Sequence, residues 1–292
     1  MGAEIPEILY ASNMAEALDM ATKGFEPVEC AFGREGSAVG RYKLDHHGQY
    51  SGEEAVSVKA ARLALEGVKL QRFVVTGDAD CDQCYAIAAL SGSQIPIDMD
   101  EANAIAEVDV DPIGRDLASD RYVRILLFNQ RTHGFPSCLD STYKALGEFV
   151  GIFNGRYGAK DVDAARSYEK ARKDSVRQGI KQLEPGRVAL VASDDWGFDV
   201  WYESAPIVVA FVAPKKSVTI GLCPKKGGTL GDRTGFELLG PEGLKRVYPV
   251  LDSEIKPGWG GRETIGGSPR NAEMTYEDAQ KAFAIIKEIA GN

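Results

Sequence analysis

The feature that most constrains the fold is the regular exchange of strand-like and helix-like segments through the first half of the chain. EILYA reads as a strand, and NMAEALDMATKG reads as a helix ending at Gly24 after a lysine. EPVECAFG follows as a second strand. GEEAVSVKAARLALEG places apolar residues at Val56, Ala60 and 63–65, a helical spacing, and RFVVTG is a short apolar strand that runs into an acidic cluster. CYAIAALSG and DEANAIAEVDVDPIG read as further helices, the second closing on Pro112 and Gly114. Such alternation favours a layered α/β domain over an all-α or all-β one. It is expected to continue from YVRILLFNQ through STYKALGEFVGIFNGRYG.

The texture then changes. DVDAARSYEKARKDSVRQGIKQLEPG predicts a long polar helix with weak apolar periodicity, the pattern of a solvated bridging helix. Beyond Pro185, the strands RVALVASDD, PIVVAFVAP and SVTIGLCP alternate with Gly and Pro turns before a final helix, TYEDAQKAFAIIKEIA. A boundary near residues 175–186 is therefore expected. It divides a sheet-and-helix domain, 1–180, from a smaller α/β domain, 186–292, joined by a helical linker.

Composition narrows the function classes. A formal net charge of −9 over 292 residues argues against an extended nucleic-acid surface, which needs clustered Lys and Arg, but tolerates a small phosphate-bearing ligand. No apolar run approaches the roughly 20 residues of a membrane helix, and MGAEIPEILYASN has no basic region leading into an apolar one. Five scattered cysteines fit a reduced setting better than a disulfide framework. The expected location is cytoplasmic, without membrane contact.

Three segments concentrate oxygen and imidazole ligands. They are LDHH at 44–47, holding two of the chain's three histidines, TGDADCDQC at 76–84, and EVDVDPIG at 107–114. Carboxylates at strand ends of an open α/β sheet point into the crevice where such folds bind ligands. Asp78, Asp80 and Asp82 follow a hydrophobic strand directly, and their repulsion needs a cation or several hydrogen bonds to offset it. A solvated turn or a helix N-terminus would also accommodate them. Asp45, His46 and His47 add mixed carboxylate and imidazole donors, which suit Mn²⁺, Fe²⁺ or Zn²⁺ better than Ca²⁺. Cys81 and Cys84 form a C-x-x-C at a strand-to-helix junction, compatible with a redox pair or half of a zinc site. Their acidic neighbours oppose thiolate chemistry, and a second cysteine pair for zinc is missing.

LDHH, the acidic run opening the small-residue helix DADCDQCYAIAAL, the later VDVDPIG and the C-terminal GWGGRETIGGSPR together resemble the DHH superfamily of metal-dependent phosphoesterases. The resemblance implies an α/β catalytic domain holding Mn²⁺ or similar divalent ions, and a smaller C-terminal domain that closes over a substrate phosphate. By position it implies metal ligands among Asp45, His46, Asp78, Asp80, Asp82, Asp109 and Asp111, with His47 supporting the substrate or leaving group. Gly260, Gly261, Gly266 and Gly267 would wrap phosphate, with Arg262 and Arg270 as charged donors. Two features depart from the family pattern. The acidic run follows the Asp-His-His motif instead of preceding it, with Val74 or Thr76 where a histidine is usual. The aspartate expected on the strand before Asp-His-His is missing, and Glu29 is the nearest acidic candidate.

The expected activity is divalent-metal-dependent hydrolysis of a small phosphate ester or a short nucleotide or oligonucleotide, in a chain that forms a homodimer by default. The alternative is a DHH-fold protein that binds phosphate without turnover. His133, in NQRTHGFPS, is a second candidate proton donor or a simple exposed loop residue. Lys215, Lys216, Lys225 and Lys226 read as solvated turn residues that can also meet an anion. Trp196, Phe198, Trp201 and Tyr202 read as packing residues.

Overall fold

A computed structural model of the chain describes residues 5–32, 36–50, 53–92, 95–110, 119–184, 186–223, 234–269 and 272–291. The fold is mixed α/β and divides into two compact units, Met1–Glu169 and Lys170–Asn292. The division falls within one long helix, Ala159–Gln178 (α7).

The first unit is built on a parallel three-stranded sheet. Its strands are β1 (Glu7–Tyr10), β2 (Glu26–Val28) and β5 (Arg72–Val75), in the order β1-β5-β2. Phe73, Val74 and Val75 of the central strand are fully buried, as a strand covered on both faces requires. The predicted strand over EPVECAFG is broken at Glu29, which adopts a left-handed φ of 53°. After it, β3 (Cys30–Ala31) turns away to pair with β4 (Ser37–Ala38). Leu44 then returns beside Val28 as a single parallel bridge, so the Asp45-His46-His47 turn leaves from the same end of the sheet.

Helices α1 (Met14–Thr22), α2 (Val56–Leu65), α3 (Cys81–Leu90) and α4 (Met99–Val110) fall in the expected segments, while the expected close of the last on Pro112 and Gly114 lies outside the described residues. Every residue of α3 is buried, which explains its small, apolar composition: it packs against α2 on one side and α6 (Leu139–Phe153) on another. The expected strand-and-helix alternation fails after residue 118. Both YVRILLFNQ and the following segment are helical, the first within α5 (Asp120–Thr132). Its run of apolar residues is long enough for a strand. What decides for a helix is polar spacing, since Arg124 and Arg131 leave the apolar face to reach Glu101 and Glu148 respectively.

The second unit carries a six-stranded sheet in the order β10-β11-β9-β8-β7-β6. Strands β7 (Val188–Ser193) and β8 (Ile207–Val212) are parallel, joined through the short helix α8 (Phe198–Trp201). β9 (Ser217–Leu222) pairs antiparallel with β8. The polar helix is shorter than predicted. It stops at Gln178, and Ile180–Glu184 forms the edge strand β6. Gly179 sits at this change, where any Cβ would lie 2.7 Å from the Ala192 carbonyl, a contact only glycine escapes. Helices α9 (Gly235–Leu239) and α10 (Tyr248–Glu254) and a hairpin of β10 (Gly260–Gly261) and β11 (Ile265–Gly267) follow. The last helix, α11 (Tyr276–Gly291), lays Ala279, Ala282, Phe283 and Ile286 on β7 and β8. Among the described residues no helix is long and apolar enough to cross a membrane.

Candidate metal centre

The carboxyl ends of the parallel strands converge on one cluster. Glu29 follows β2, the Asp45-His46-His47 turn follows the Leu44 bridge, and Asp78 and Asp80 follow β5. Asp82 lies in the first turn of α3, and Asp109 lies near the end of α4. His46 is the hub. Its Nε2 is 3.1 Å from Glu29 Oε1, 3.2 Å from Asp109 Oδ2 and 3.9 Å from Asp82 Oδ2. Donor atoms of Glu29, His46 and His47 lie within 4.8 Å of one another, as do those of His46, Asp82 and Asp109. His46 and Asp82 are each 1% exposed, whereas the side chains of His47 and Asp109 reach solvent at 39% and 31%. The cluster therefore has a dry floor and a wet rim.

Local turns aim these groups. Asp45 is fully buried, and its Oδ1 accepts the His47 backbone N–H at 2.5 Å and lies 3.2 Å from His47 Nδ1. The two histidine rings meet edge to face, with centroids 4.6 Å apart. Two non-glycine residues with positive φ, Glu29 and Lys43 (50°), flank the site, a backbone conformation that persists only where its surroundings impose it. Asp80 caps α3 by accepting the Gln83 N–H at 2.9 Å. Asp82 reaches across to α2, accepting the Val56 N–H at 2.9 Å and the Ser57 N–H at 2.8 Å. Ala55, the N-cap of that helix, has no capping side chain of its own.

The electrostatics are those of crowded like charges. Burial, then the carboxylates of Asp80, Asp82, Asp109 and Asp45, holds the Glu29 carboxyl well above the usual range. Asp80 is pushed up to about 6 by desolvation and by Asp82, although its side chain lies at the exposed rim. Burial also raises Asp82, against the opposing hydrogen bonds from Ser57 and Val56. Glu29 Oε1 and Asp45 Oδ2 are buried oxygens with no hydrogen-bond donor among the described residues. Carboxylates in this condition need protons or a cation. The donor set, carboxylate oxygen with imidazole nitrogen, fits a divalent ion of the Mn²⁺ or Zn²⁺ type.

The structure brings Asp45, His46, His47, Asp80, Asp82 and Asp109 to this end of the sheet. Asp78 is exposed and contacts the Ser137 hydroxyl instead. Asp111 lies outside the described residues. Glu29 was named by the sequence only as a substitute for a missing aspartate, and it proves a central member. The signal was its place directly after an apolar strand. His133 caps the end of α5 with its ring edge-on to Tyr168. Cys81 and Cys84 are buried free thiols in α3, and burial, with the neighbouring thiol for Cys81 and nearby carboxylates for both, pushes them well above the ordinary thiol range, which opposes thiolate chemistry.

In the second unit Gly260, Gly261, Gly266 and Gly267 do come together, as paired positions of the β10–β11 hairpin: Gly260 opposite Gly267, and Gly261 opposite Gly266. Packing accounts for two of them. A Cβ on Gly266 would lie 1.9 Å from Tyr248 Oη, and one on Gly261 would lie 2.4 Å from the Gly266 Cα. Tyr248 Oη donates to the Arg262 carbonyl at 2.7 Å, and the Arg262 N–H donates to the Ile265 carbonyl at 2.8 Å. Arg270, Lys225 and Lys226 lie outside the described residues.

No protein-family profile matches this sequence, and no curated protein matches it. Among solved structures, the chain is similar to a pGpG-specific phosphodiesterase, PggH from Vibrio cholerae. The identity is 14%, covering 81% of this chain and 94% of that one, with a TM-score of 0.41. At that level of superposition the likeness assigns neither fold nor activity.

Proposed function

We propose that the chain is a divalent-metal-dependent phosphoesterase acting on a small phosphate ester or short nucleotide. The observation that carries this reading is the convergence of Glu29, Asp109 and Asp82 on His46 Nε2 at 3.1, 3.2 and 3.9 Å, at the carboxyl end of a parallel sheet. Glu29, His46, Asp82 and Asp109 would hold an ion of the Mn²⁺ class, with Asp45, Asp80 and His47 completing the surroundings. When bound, such an ion lowers the pKa of a coordinated water and offsets charge on phosphoryl oxygens.

The chain's own residues do the rest. Asp45 holds His47 through Nδ1, orienting a half-exposed imidazole toward the rim, where it serves as the proton donor to a leaving oxygen. The burial of His46, Glu29 and Asp82 keeps bulk water from their donor atoms. In the second unit, Arg262 on the β10–β11 hairpin is the proposed guanidinium for binding anionic oxygens. The protein is assigned a soluble setting and a small phosphorylated partner, with a homodimer as the default assembly.

The test pairs Mn²⁺ titration with a screen of phosphomonoesters, dinucleotides and short oligonucleotides. Wild type should bind Mn²⁺ and turn over at least one class, while His46→Ala should lower turnover by about a thousandfold or more. Mn²⁺ binding without turnover of any class would favour a protein that grips phosphate without hydrolysis. No binding of Mn²⁺, Fe²⁺, Co²⁺ or Zn²⁺ would sink the metal reading.

A further inference from the structure

We propose that Lys59 is a positioning residue: its ammonium fixes the turn that presents Asp45, His46 and His47, making α2 the element that sets the acidic segments in register. The inference rests on the metal reading in one respect, that the groups so positioned are metal ligands.

The turn from Lys43 to His47 is held together by hydrogen bonds to its main-chain carbonyls, most of them from donors outside the turn. The Leu44 carbonyl accepts the Glu29 N–H at 2.9 Å, and the His47 carbonyl accepts the Tyr50 N–H at 2.9 Å. Lys43, in its left-handed conformation, has its carbonyl bonded by the Asp45 N–H at 2.8 Å. The Asp45 carbonyl belongs to a fully buried residue and must find a partner inside the protein. Lys59 Nζ provides it at 2.8 Å, while also donating to the Lys43 carbonyl at 3.2 Å and to Glu53 Oε2 at 2.6 Å. Three ammonium protons meet three acceptors. Only 15% of the Lys59 side chain is exposed, so the charge is committed to this clamp and not to solvent.

Helix α2 makes two further connections within one turn of Lys59. Val56 and Ser57 give their backbone N–H groups to Asp82, and Ser57 Oγ donates to the Ala102 carbonyl at 3.0 Å on α4, the helix that carries Asp109. One short helix thus touches the Asp45 turn, the Asp82 turn and the Asp109 helix. Removing the lysine should loosen the first of these while the other two remain.

The experiment compares wild type with Lys59→Met, Lys59→Gln and Glu53→Gln. Amide hydrogen exchange is followed in metal-free protein, and Mn²⁺ affinity is measured by titration. Lys59→Met should accelerate exchange at Asp45 and His47 by about tenfold or more, leave α3 and β5 protection near wild type, and weaken Mn²⁺ binding by roughly 10–100-fold. Lys59→Gln keeps an amide donor and should fall between. Glu53→Gln leaves Nζ on the carbonyls and should change Mn²⁺ affinity by less than about threefold. Unchanged exchange at Asp45 and His47 in Lys59→Met would overturn the clamp. So would protection lost uniformly across the first unit in both lysine variants, since that is the signature of general packing. If the exchange change is local but wild type binds no metal ion, the clamp stands and the metal reading fails.

Discussion

The two regions singled out by the sequence, the acidic edge of the first unit and the glycine hairpin of the second, differ in what their residues do for folding. At the acidic edge, Glu29, Asp80 and Asp82 are held as carboxyls that burial and mutual repulsion disfavour in their charged forms. Two left-handed residues keep the turns in place. At the hairpin, Gly261 and Gly266 relieve crowding: they let Tyr248 lie under the strands and hydrogen-bond the Arg262 carbonyl. The first region spends stability, and the second supplies it. A residue pattern that works against the fold points to function more strongly than one that the fold itself requires.

The sharpest way to break this comparison is Gly266→Ala. The added Cβ would meet Tyr248 Oη at 1.9 Å and Cζ at 2.6 Å, and the loss of stability should be about 3 kcal/mol by chemical denaturation. Tyr248→Phe alone should cost about 1 kcal/mol through the lost bond to Arg262. Because the phenol oxygen is the closest obstacle, the double variant should be less destabilised than the sum by about 1 kcal/mol. Strict additivity would show that the glycine is not there for the tyrosine.

A smaller effect of opposite sign is expected at the acidic edge. In metal-free protein at pH 8, Glu29→Gln should raise stability by about 1–2 kcal/mol, because an amide of the same volume avoids the cost of either burying the charge among other carboxylates or taking up a proton. The same variant should weaken Mn²⁺ binding by a hundredfold or more. Asp80 gives the pH dependence. Its carboxyl is held at about 6 against an ordinary 3.8, so the folded state keeps a proton that the unfolded chain has already lost. Stability of the metal-free protein should therefore fall as pH rises between these values, and Asp80→Asn should flatten the profile. Solvent at the exposed rim limits the Asp80 share to about 1 kcal/mol. Saturating Mn²⁺ should abolish the decline. A profile that rises over this window would remove the crowding account.

How much of this was legible in the sequence follows from the range of the interactions involved. The strands EILYA and RFVVTG, the buried helix after Asp80 and the succession of strands beyond residue 187 are written in local periodicity, and the structure contains them. The long apolar run in α5 is ambiguous between strand and helix until its arginines find Glu101 and Glu148, partners set by tertiary contact. Asp45 and His46 were visible because two histidines adjoin an aspartate. Glu29 was visible only as an acid at a strand end, since what makes it central is the return of Leu44 beside Val28, a pairing 16 residues apart in sequence. Lys59 and Ser57 left no local signal. Their roles exist only because α2 comes to lie between three acidic segments.

The smallest stability effect should come from Arg262→Ala, and it separates the two meanings of the hairpin. Two hydrogen bonds of Arg262 use its backbone: its N–H donates to the Ile265 carbonyl, and its carbonyl accepts from Tyr248 Oη. Truncating the side chain leaves these two in place and removes the guanidinium's charge beside Glu263, so the loss of stability should stay below about 1 kcal/mol, the scale of a partly exposed charge. If the guanidinium grips phosphate oxygens, KM for a turned-over phosphodiester should rise by about tenfold, and Arg262→Lys should recover only part of it, because an ammonium keeps the charge but not the fork. An unchanged KM in both variants would leave the hairpin with a packing role alone. Gly266 would then be explained by Tyr248, and the case for catalysis would rest on the acidic edge.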